Sequence, residues 1–345
     1  MALVQLSTFP EELLECILAH VVVGSATPRT RPSWHQPAAA KDIRTRLAPL
    51  LVSQQFYRIS LPLFYETAVL CTPSQSANFL HALETRPAAA GFVKTLVLPA
   101  PNAVDAEIVE LLCQHGGLHV LDVTLLGDRG DASARTCPAV AESLGRISTL
   151  RKLTIRKASN TYLSQPGPRS TLDALAGVVE TCRSLESVAL AFPLSADAAL
   201  SRLVEALAIA PEMHTLRTPM PAVWAPAMLS VAINPALKRI ELESADAESA
   251  AHGSVSAVRR TCTATSPAAG DRCYATAVPA ARRARGVLGT SLFLTAARQH
   301  HRLSELIRAG TVVLGWRGRA WTMGSVDPST LQLQASSSAG GASAC

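Results

Sequence analysis

The chain has 345 residues, 48% apolar and 4% aromatic, which suffices for two or three domains or for a repeat array with an aliphatic core. Its net charge of +6 is concentrated in residues 251–345, where 11 arginines accompany only three acidic residues, while the rest of the chain is nearly neutral. No apolar run approaches the roughly 18 residues that a membrane helix needs, which argues against a membrane-spanning protein.

The first predicted element is an amphipathic helix that begins near Pro10. Thr8 can cap this helix, Pro10 fits its first turn, and the acidic residues that follow favour the positive end of the helix dipole. Apolar residues then recur at steps of three and four. This spacing predicts one apolar face made of Leu13, Leu14, Ile17, Leu18 and Val21.

A second helical region follows a predicted loop. Residues 24–40 contain three prolines and have no apolar period, which is typical of a loop. Helical periodicity returns at Ile43 and continues to about Tyr65, with Pro62 predicted to break the helix near its end. Two or three short helices are therefore expected before residue 70.

These segments resemble the F-box, which opens with Leu-Pro-x-Glu-Leu-Leu-x-x-Ile-Leu and closes with Val-Cys/Ser-Arg-x-Trp/Phe and a Pro-x-Leu-Tyr-like end. The matching positions are residues 9–18, then Val52, Ser53 and Phe56, then Pro62, Leu63 and Tyr65. The resemblance implies a subunit of a cullin-type ubiquitin ligase whose helices bind a Skp-type linker subunit. It assigns that contact to Pro10, Leu13, Leu14, Ile17, Leu18, Leu51, Val52 and Phe56.

The size of the helical module agrees with a role in binding. A module this small cannot bury all of its apolar residues internally, and insertion of a helix into a partner's groove is a common way to cover the remainder. An ordinary amphipathic helical hairpin without a ligase link is the alternative.

A motif of the form apolar-x-x-apolar-x-apolar recurs through the middle of the chain. Its copies are Val93/Leu96/Leu98, Leu118/Leu121/Val123, Leu150/Leu153/Ile155, Leu185/Val188/Leu190, a shorter Met213/Leu216, and Leu237/Ile240/Leu242. Helical apolar faces separate the copies, so strand alternates with helix. This pattern resembles irregular leucine-rich repeats, which implies a horseshoe-shaped α/β solenoid whose concave strand face selects a substrate. No copy has the Asn or Cys expected three residues after its last apolar position.

Polar residues on the motif strands are expected to face the concave side. The candidates for substrate contact are Lys94, His119, Asp122, Lys152, Glu186, Lys238 and Glu241, accompanied by Thr95, Thr154, Ser187 and Arg239. The alternative is that these residues simply keep an exposed strand face soluble.

The repeat pattern ends near residue 244. Residues 245–290 are rich in Ala, Ser, Thr and Arg and are expected to be a disordered linker or the product of an aberrant reading frame. Residues 291–325 are expected to form a terminal cap, with a helix that ends at Gly310 and a strand from Thr311 to Leu314. Residues 326–345 are expected to be a disordered tail.

The chain lacks the usual signatures of catalysis. It contains no P-loop, dinucleotide-binding, zinc-protease or nucleophile-elbow motif, and its eight cysteines form no C-x-x-C pair. We therefore expect no enzyme, no catalytic residue, no metal, no cofactor and no small-molecule substrate. The cysteines are expected to be reduced thiols.

The sequence thus predicts an α/β protein with an F-box-like helical module at 1–70, an irregular leucine-rich-repeat solenoid at 88–244, and a poorly ordered basic carboxyl-terminal segment. The expected partners are a Skp-type linker subunit and a protein substrate, without membrane or nucleic acid, in the cytoplasm or nucleus. A leucine-rich-repeat binding scaffold with no ligase link is a second hypothesis. Nucleic-acid binding through the basic tail is a third.

Overall fold

The computed structural model describes residues 10–22, 46–127, 138–158, 161–195, 197–221, 223–243 and 292–313. The segments predicted at 24–40, 245–290 and 326–345 lie outside these ranges, and so does the part of the predicted cap after residue 313. None of the described helices combines the length and the apolar character that crossing a membrane requires.

Helices and strands alternate along most of the described chain. The helices are α1 (Glu11–Val22), α2 (Gln54–Glu66), α3 (Pro73–Thr85), α4 (Ala103–His115), α5 (138–144), α6 (Pro166–Thr181), α7 (Ser201–Ile209), α8 (Pro226–Ala232), α9 (292–298) and α10 (His301–Val313), with 3-10 turns at Ala48–Leu51 and Pro87–Phe92. The strands are β1 (Thr67–Val69), β2 (Thr95–Leu98), β3 (Val120–Leu125), β4 (Lys152–Lys157), β5 (Ser187–Leu190), β6 (Thr215–Pro219) and β7 (Arg239–Glu243).

The strands form one seven-stranded sheet in which their spatial order is their sequence order. Every neighbouring pair is parallel, from β1 with β2 to β6 with β7. Parallel neighbours require a crossover connection, and helical segments supply it between successive strands. The expected α/β class is confirmed. The first strand of the sheet begins at Thr67, before residue 88.

The recurring motif is explained by the register of the sheet. The middle apolar residue of each copy lies in one row across the strands, and β1 adds a seventh member that the pattern did not reveal. The row consists of Ala68, Leu96, Leu121, Leu153, Val188, Leu216 and Ile240. All seven side chains are buried. Side chains alternate between the two faces along a strand, so this buried row lies on one face of the sheet and the polar residues that flank its members along the strands lie on the other.

Buried polar side chains join consecutive units at a position three residues before the motif. The Cys182 thiol donates toward the carbonyl oxygens of Ser148 and Leu150, each at 3.2 Å. Asn234 donates from Nδ2 to the carbonyl oxygens of Leu207 and Ala210, at 2.8 and 2.9 Å. No copy of the motif has an Asn or Cys after it, but Cys182 and Asn234 precede two of the copies. There they donate hydrogen bonds to buried carbonyl groups at helix ends and turns.

Two predicted helix ends were wrong. The second helical region continues through Pro62 to Glu66, because a proline removes only one backbone hydrogen bond and tertiary packing holds the rest of α2. The terminal helix continues through Gly310 to Val313, so the described part of the predicted strand, Thr311–Val313, is helical.

Packing explains the glycine in the terminal helix. A Cβ atom at Gly310 would lie 2.0 Å from the carbonyl oxygen of Ile240, so the absence of a side chain lets α10 lie directly against β7. Arg302 Nη2 also donates to the carbonyl oxygen of Leu237 at 2.7 Å. The amide of Arg239 donates to the carbonyl oxygen of His214, the residue before β6. The carbonyl group of Ile240 therefore points to the opposite side, the outer edge of the sheet. Helix α10 thus covers the β7 edge of the sheet, which pairs with no further strand among the described residues. Native proteins commonly cover sheet edges in this way.

Candidate functional site

The apolar residues of α1 divide into two stripes rather than forming one face. Leu14, Leu18 and Val22 are buried, whereas Leu13 and Ile17 are 52% and 54% exposed. Each stripe repeats every four residues, so both run along the helix and one lies beside the other. The inward stripe holds α1 on the module, and the outward stripe is left in solvent.

Further large apolar side chains are exposed on a segment that contacts α1. Leu51, which ends the Ala48–Leu51 turn, is 85% exposed, and Val52 directly after it is 60% exposed. The turn contacts both α1 and α2. We define the N-terminal apolar surface as Leu13, Ile17, Val21, Leu47, Leu51 and Val52. Large exposed apolar patches usually mark surfaces that bind another molecule.

The residues expected to contact a linker subunit fall into three groups. Pro10, Leu13, Ile17, Leu51 and Val52 are exposed, and Phe56 is half-buried. Leu14 and Leu18 are only 2% and 3% exposed, so they pack against the chain's own module. Apolar residues at helical spacing can be predicted to lie on one side of the helix. The spacing does not show which half of a wide apolar stripe faces the protein's own core.

Arg46 fixes the geometry of this module. Its Nε donates to the carbonyl oxygen of Val22 at 2.9 Å, and its Nη2 donates to that of Phe64 at 2.9 Å, which links the last residues of α1 and α2. The guanidinium also lies over the Phe64 ring, 5.0 Å from its centre. Burial lowers the pKa of Arg46 from its ordinary value. No local sequence signal revealed this role, because the bonding partners are 18 or more residues away.

Two polar contacts complete the module. The Ser53 hydroxyl accepts a hydrogen bond from the Phe56 amide at 3.3 Å and so caps the start of α2. Arg58 forms an ion pair with Glu11, which ties the first turn of α1 to α2. Ser53 therefore has a structural role as a helix cap, and the hydrophobic residue beside it, Val52, remains in solvent.

A second candidate surface is a groove on the polar face of the sheet. The groove has a volume of about 580 Å³ and crosses β4, β5, β6 and β7. Its floor includes one register row that runs from Lys152 through Ser187 and Thr215 to Arg239. The row two residues further along the strands contributes Thr154, Ala189, Arg217 and Glu241.

The residues of the groove are linked by ion pairs at one end. Arg239 Nε lies 3.2 Å from Glu241 Oε1, and Arg217 Nε lies 3.8 Å from Glu241 Oε2. Arg217 Nη2 also donates to Glu243 at 2.5 Å. Glu241 is 7% exposed and lies between two guanidinium groups. The charged groups at this end of the groove are therefore engaged with one another.

Four of the seven predicted substrate contacts line this groove: Lys152, Glu186, Lys238 and Glu241. The other three lie on the β2 and β3 side and are not among its lining residues. Lys94 forms an ion pair with Glu66 at 3.6 Å. Asp122 accepts two hydrogen bonds from Arg156, at 2.7 and 2.8 Å. His119 precedes β3, and its amide donates to the carbonyl oxygen of Lys94 at 2.8 Å.

Sequence reasoning missed His214, Thr215 and Arg217, which also line the groove. They belong to the shorter copy of the motif, whose third apolar position is occupied by Thr218. The sequence nevertheless held a signal for Arg217. This residue directly follows the motif residue Leu216, just as Glu241 directly follows Ile240, and side chains at matched positions of neighbouring strands lie on the same face of the sheet.

Within the described chain, no group of three or more His, Cys, Asp and Glu side chains is arranged to hold a metal ion. The four cysteines in that part of the chain, Cys16, Cys71, Cys113 and Cys182, are free thiols. Comparison with known proteins finds no protein-family model that matches the chain and no curated protein with a matching sequence.

Proposed function

We propose that the protein recruits substrates to a cullin-type ubiquitin ligase. In this proposal the N-terminal apolar surface binds a Skp-type linker subunit, and the polar face of the strand and helix region, built as an irregular leucine-rich-repeat solenoid, binds a protein substrate. The outcome is ubiquitin-dependent degradation of that substrate, without catalysis by this chain.

One observation carries the proposal: the N-terminal apolar surface lies on the residues that resemble the F-box. Leu13, Ile17, Leu51 and Val52 are all more than half exposed although they are large and apolar. At about 25 cal/mol per Å² of apolar area, covering them with a partner would release several kcal/mol, which favours a bound state. The helical fold of the module, capped by Ser53, presents them on adjoining segments.

The arrangement of the remaining chain supports the second half of the proposal. Successive parallel strands and helices, joined by buried Cys182 and Asn234, are typical of repeat proteins that offer one face for binding. The groove on the polar face supplies charged side chains at that face. Binding at the two surfaces would bring a substrate to the ligase.

Co-purification with a Skp-type linker subunit tests the proposal. Ile17→Asp places a charge in the apolar contact and should abolish co-purification, because burying an unpaired carboxylate is costly. Ile17 is exposed, so the variant should keep the melting temperature of the wild type. Glu12→Lys changes the charge of an exposed residue on the same helix away from the stripe and should still co-purify.

The competing function is a repeat-based binding scaffold without a ligase link. It is favoured if the wild-type chain does not co-purify with the linker subunit, or if Ile17→Asp and Glu12→Lys behave alike. In that case removal of the helices before β1 should leave binding at the polar face unchanged.

A further inference from the structure

The groove on the polar face has more positive than negative charge. Four cationic side chains line it, namely Lys152, Arg217, Lys238 and Arg239, against the carboxylates Glu186 and Glu241, so the lysines and arginines outnumber the carboxylates by two. Glu241 is shared by two guanidinium groups, and Glu186 lies 4.0 Å from Arg151. The carboxylates are therefore already engaged by the protein's own cations.

Two lysines keep an uncompensated charge. Lys152 and Lys238 are exposed, and neither has a carboxylate at ion-pairing distance within the described ranges. They lie at opposite sides of the groove, on β4 and directly before β7. Between them, the hydroxyls of Ser187 and Thr215 line the floor and can donate hydrogen bonds to an anion.

We propose that this groove binds an acidic peptide segment in extended conformation, laid across β4 to β7 with carboxylates near Lys152 and near Lys238 and Arg239. The inference rests on the proposed role of the polar face as the substrate-binding surface, and it names the class of substrate.

Strand spacing gives the expected pattern of acidic residues. Neighbouring strands lie about 4.8 Å apart, so the three steps from Lys152 to Arg239 span about 14 Å. Side chains on one side of an extended peptide recur about every 6.7 Å, so this span corresponds to two such repeats. Acidic residues separated by three others should therefore meet both cationic ends of the groove.

Other occupants fit the groove less well. The chain's own segment after residue 250 carries 11 arginines and three acidic residues, so it has the same sign of charge as the groove. Single-stranded nucleic acid usually stacks its bases on aromatic rings, and the lining includes no Phe, Tyr or Trp. Charge complementarity thus favours an acidic peptide.

Fluorescence anisotropy with the full chain tests the inference. The probe is a short labelled Ser/Gly peptide with glutamates at two positions separated by three residues, compared with the same peptide carrying Gln for Glu and with oligothymidine. We expect binding of the Glu peptide that weakens with added salt, and no binding of the Gln peptide. The Lys152→Glu/Lys238→Glu double variant should weaken binding by about ten-fold or more.

The control variant is Arg183→Glu, which makes the same kind of charge reversal at an exposed residue outside the groove lining and should change the affinity by less than about two-fold. Equal binding of the Gln peptide, stronger binding of oligothymidine, or an unchanged affinity in the double variant would overturn the inference. Co-purification with the linker subunit, measured on the same proteins, reports the ligase proposal separately. If the chain binds the Glu peptide but not the linker subunit, the groove inference is supported and the ligase proposal is rejected. If it binds the linker subunit but not the Glu peptide, the ligase proposal is supported and the groove inference is rejected.

Discussion

Gly310 of α10 lies against Ile240 of β7 so closely that any side chain at residue 310 would collide with the strand's carbonyl oxygen, 2.0 Å from the position of a Cβ atom. The obstacle is backbone, which cannot rotate away as a side chain can. The contact therefore decides whether the terminal helix stays on the sheet edge.

Gly310→Ala should destabilise the protein by about 1–3 kcal/mol, because α10 must shift away from β7 and lose packing. Gly177→Ala, a helical glycine in α6 with open space around its missing Cβ, should instead raise the free energy of unfolding by about 0.5–1 kcal/mol. Urea denaturation of both variants measures the difference. Equal effects of the two substitutions would contradict the close contact.

Asp122 and Arg156 should form an energetically coupled pair. Their side chains are 15% and 9% exposed and join through two hydrogen bonds. Asp122→Ala leaves a guanidinium in a poorly solvated site and should cost about 3 kcal/mol, while Asp122→Ala with Arg156→Met should recover much of that loss. Lys94→Ala, which breaks the more exposed pair with Glu66, should cost less than about 1 kcal/mol. A double-mutant cycle by chemical denaturation measures the coupling, and additive effects of the two substitutions would refute it.

Asn234 should contribute more to stability than an ordinary helix cap. Its side chain is 1% exposed and donates to two carbonyl oxygens, so Asn234→Ala leaves both without a donor and should cost about 2 kcal/mol or more. Asn102→Ala removes the cap of α4 and should cost about 1 kcal/mol. Thermal and urea unfolding of the two variants check the ranking. A smaller loss for Asn234→Ala would mean that water replaces the amide.

Asp105 should make stability depend on pH. Burial raises the pKa of this carboxyl above its ordinary value of 3.8, although hydrogen bonds from Ser76 and Asn102 oppose the shift. Its Oδ1 has no hydrogen-bond partner among the described residues. The folded protein therefore holds the proton more tightly than the unfolded chain, and the stability due to this group is present at low pH and lost as pH rises through the raised value.

Asp105→Asn cannot titrate, so it isolates this contribution. The free energy of unfolding of the wild type minus that of Asp105→Asn should fall as pH rises from about 4 toward 7. Denaturant midpoints across this range measure the difference, and other carboxyl groups cancel because both proteins contain them. A difference that stays constant or rises with pH would contradict the raised pKa.

The sequence by itself predicted the strand positions and the polar residues on them. The two-residue spacing of Leu121 and Val123, which recurs in other copies, is sufficient to predict these strands, because a strand's period of two is a local feature of the sequence. The buried row also requires an apolar residue at the same position of every unit, so the motif repeats along the chain. It also predicted the helices over α1, α4 and α6 from their apolar period. It did not reveal β1, whose three residues are too few to show a period.

Only the tertiary structure decided which side of each element meets a neighbour. Leu13 and Leu14 are equally apolar and adjacent in the chain, yet one is in solvent and the other buried, because the packing of α2 selects the face. Gly310 was predicted to end the last helix, yet it lies inside α10, where the absence of a side chain permits close contact with Ile240. The groove likewise joins Lys152 and Lys238, 86 residues apart, through parallel pairing of four strands. Local periods specify elements, whereas contacts between distant residues specify which of their surfaces remain free to bind.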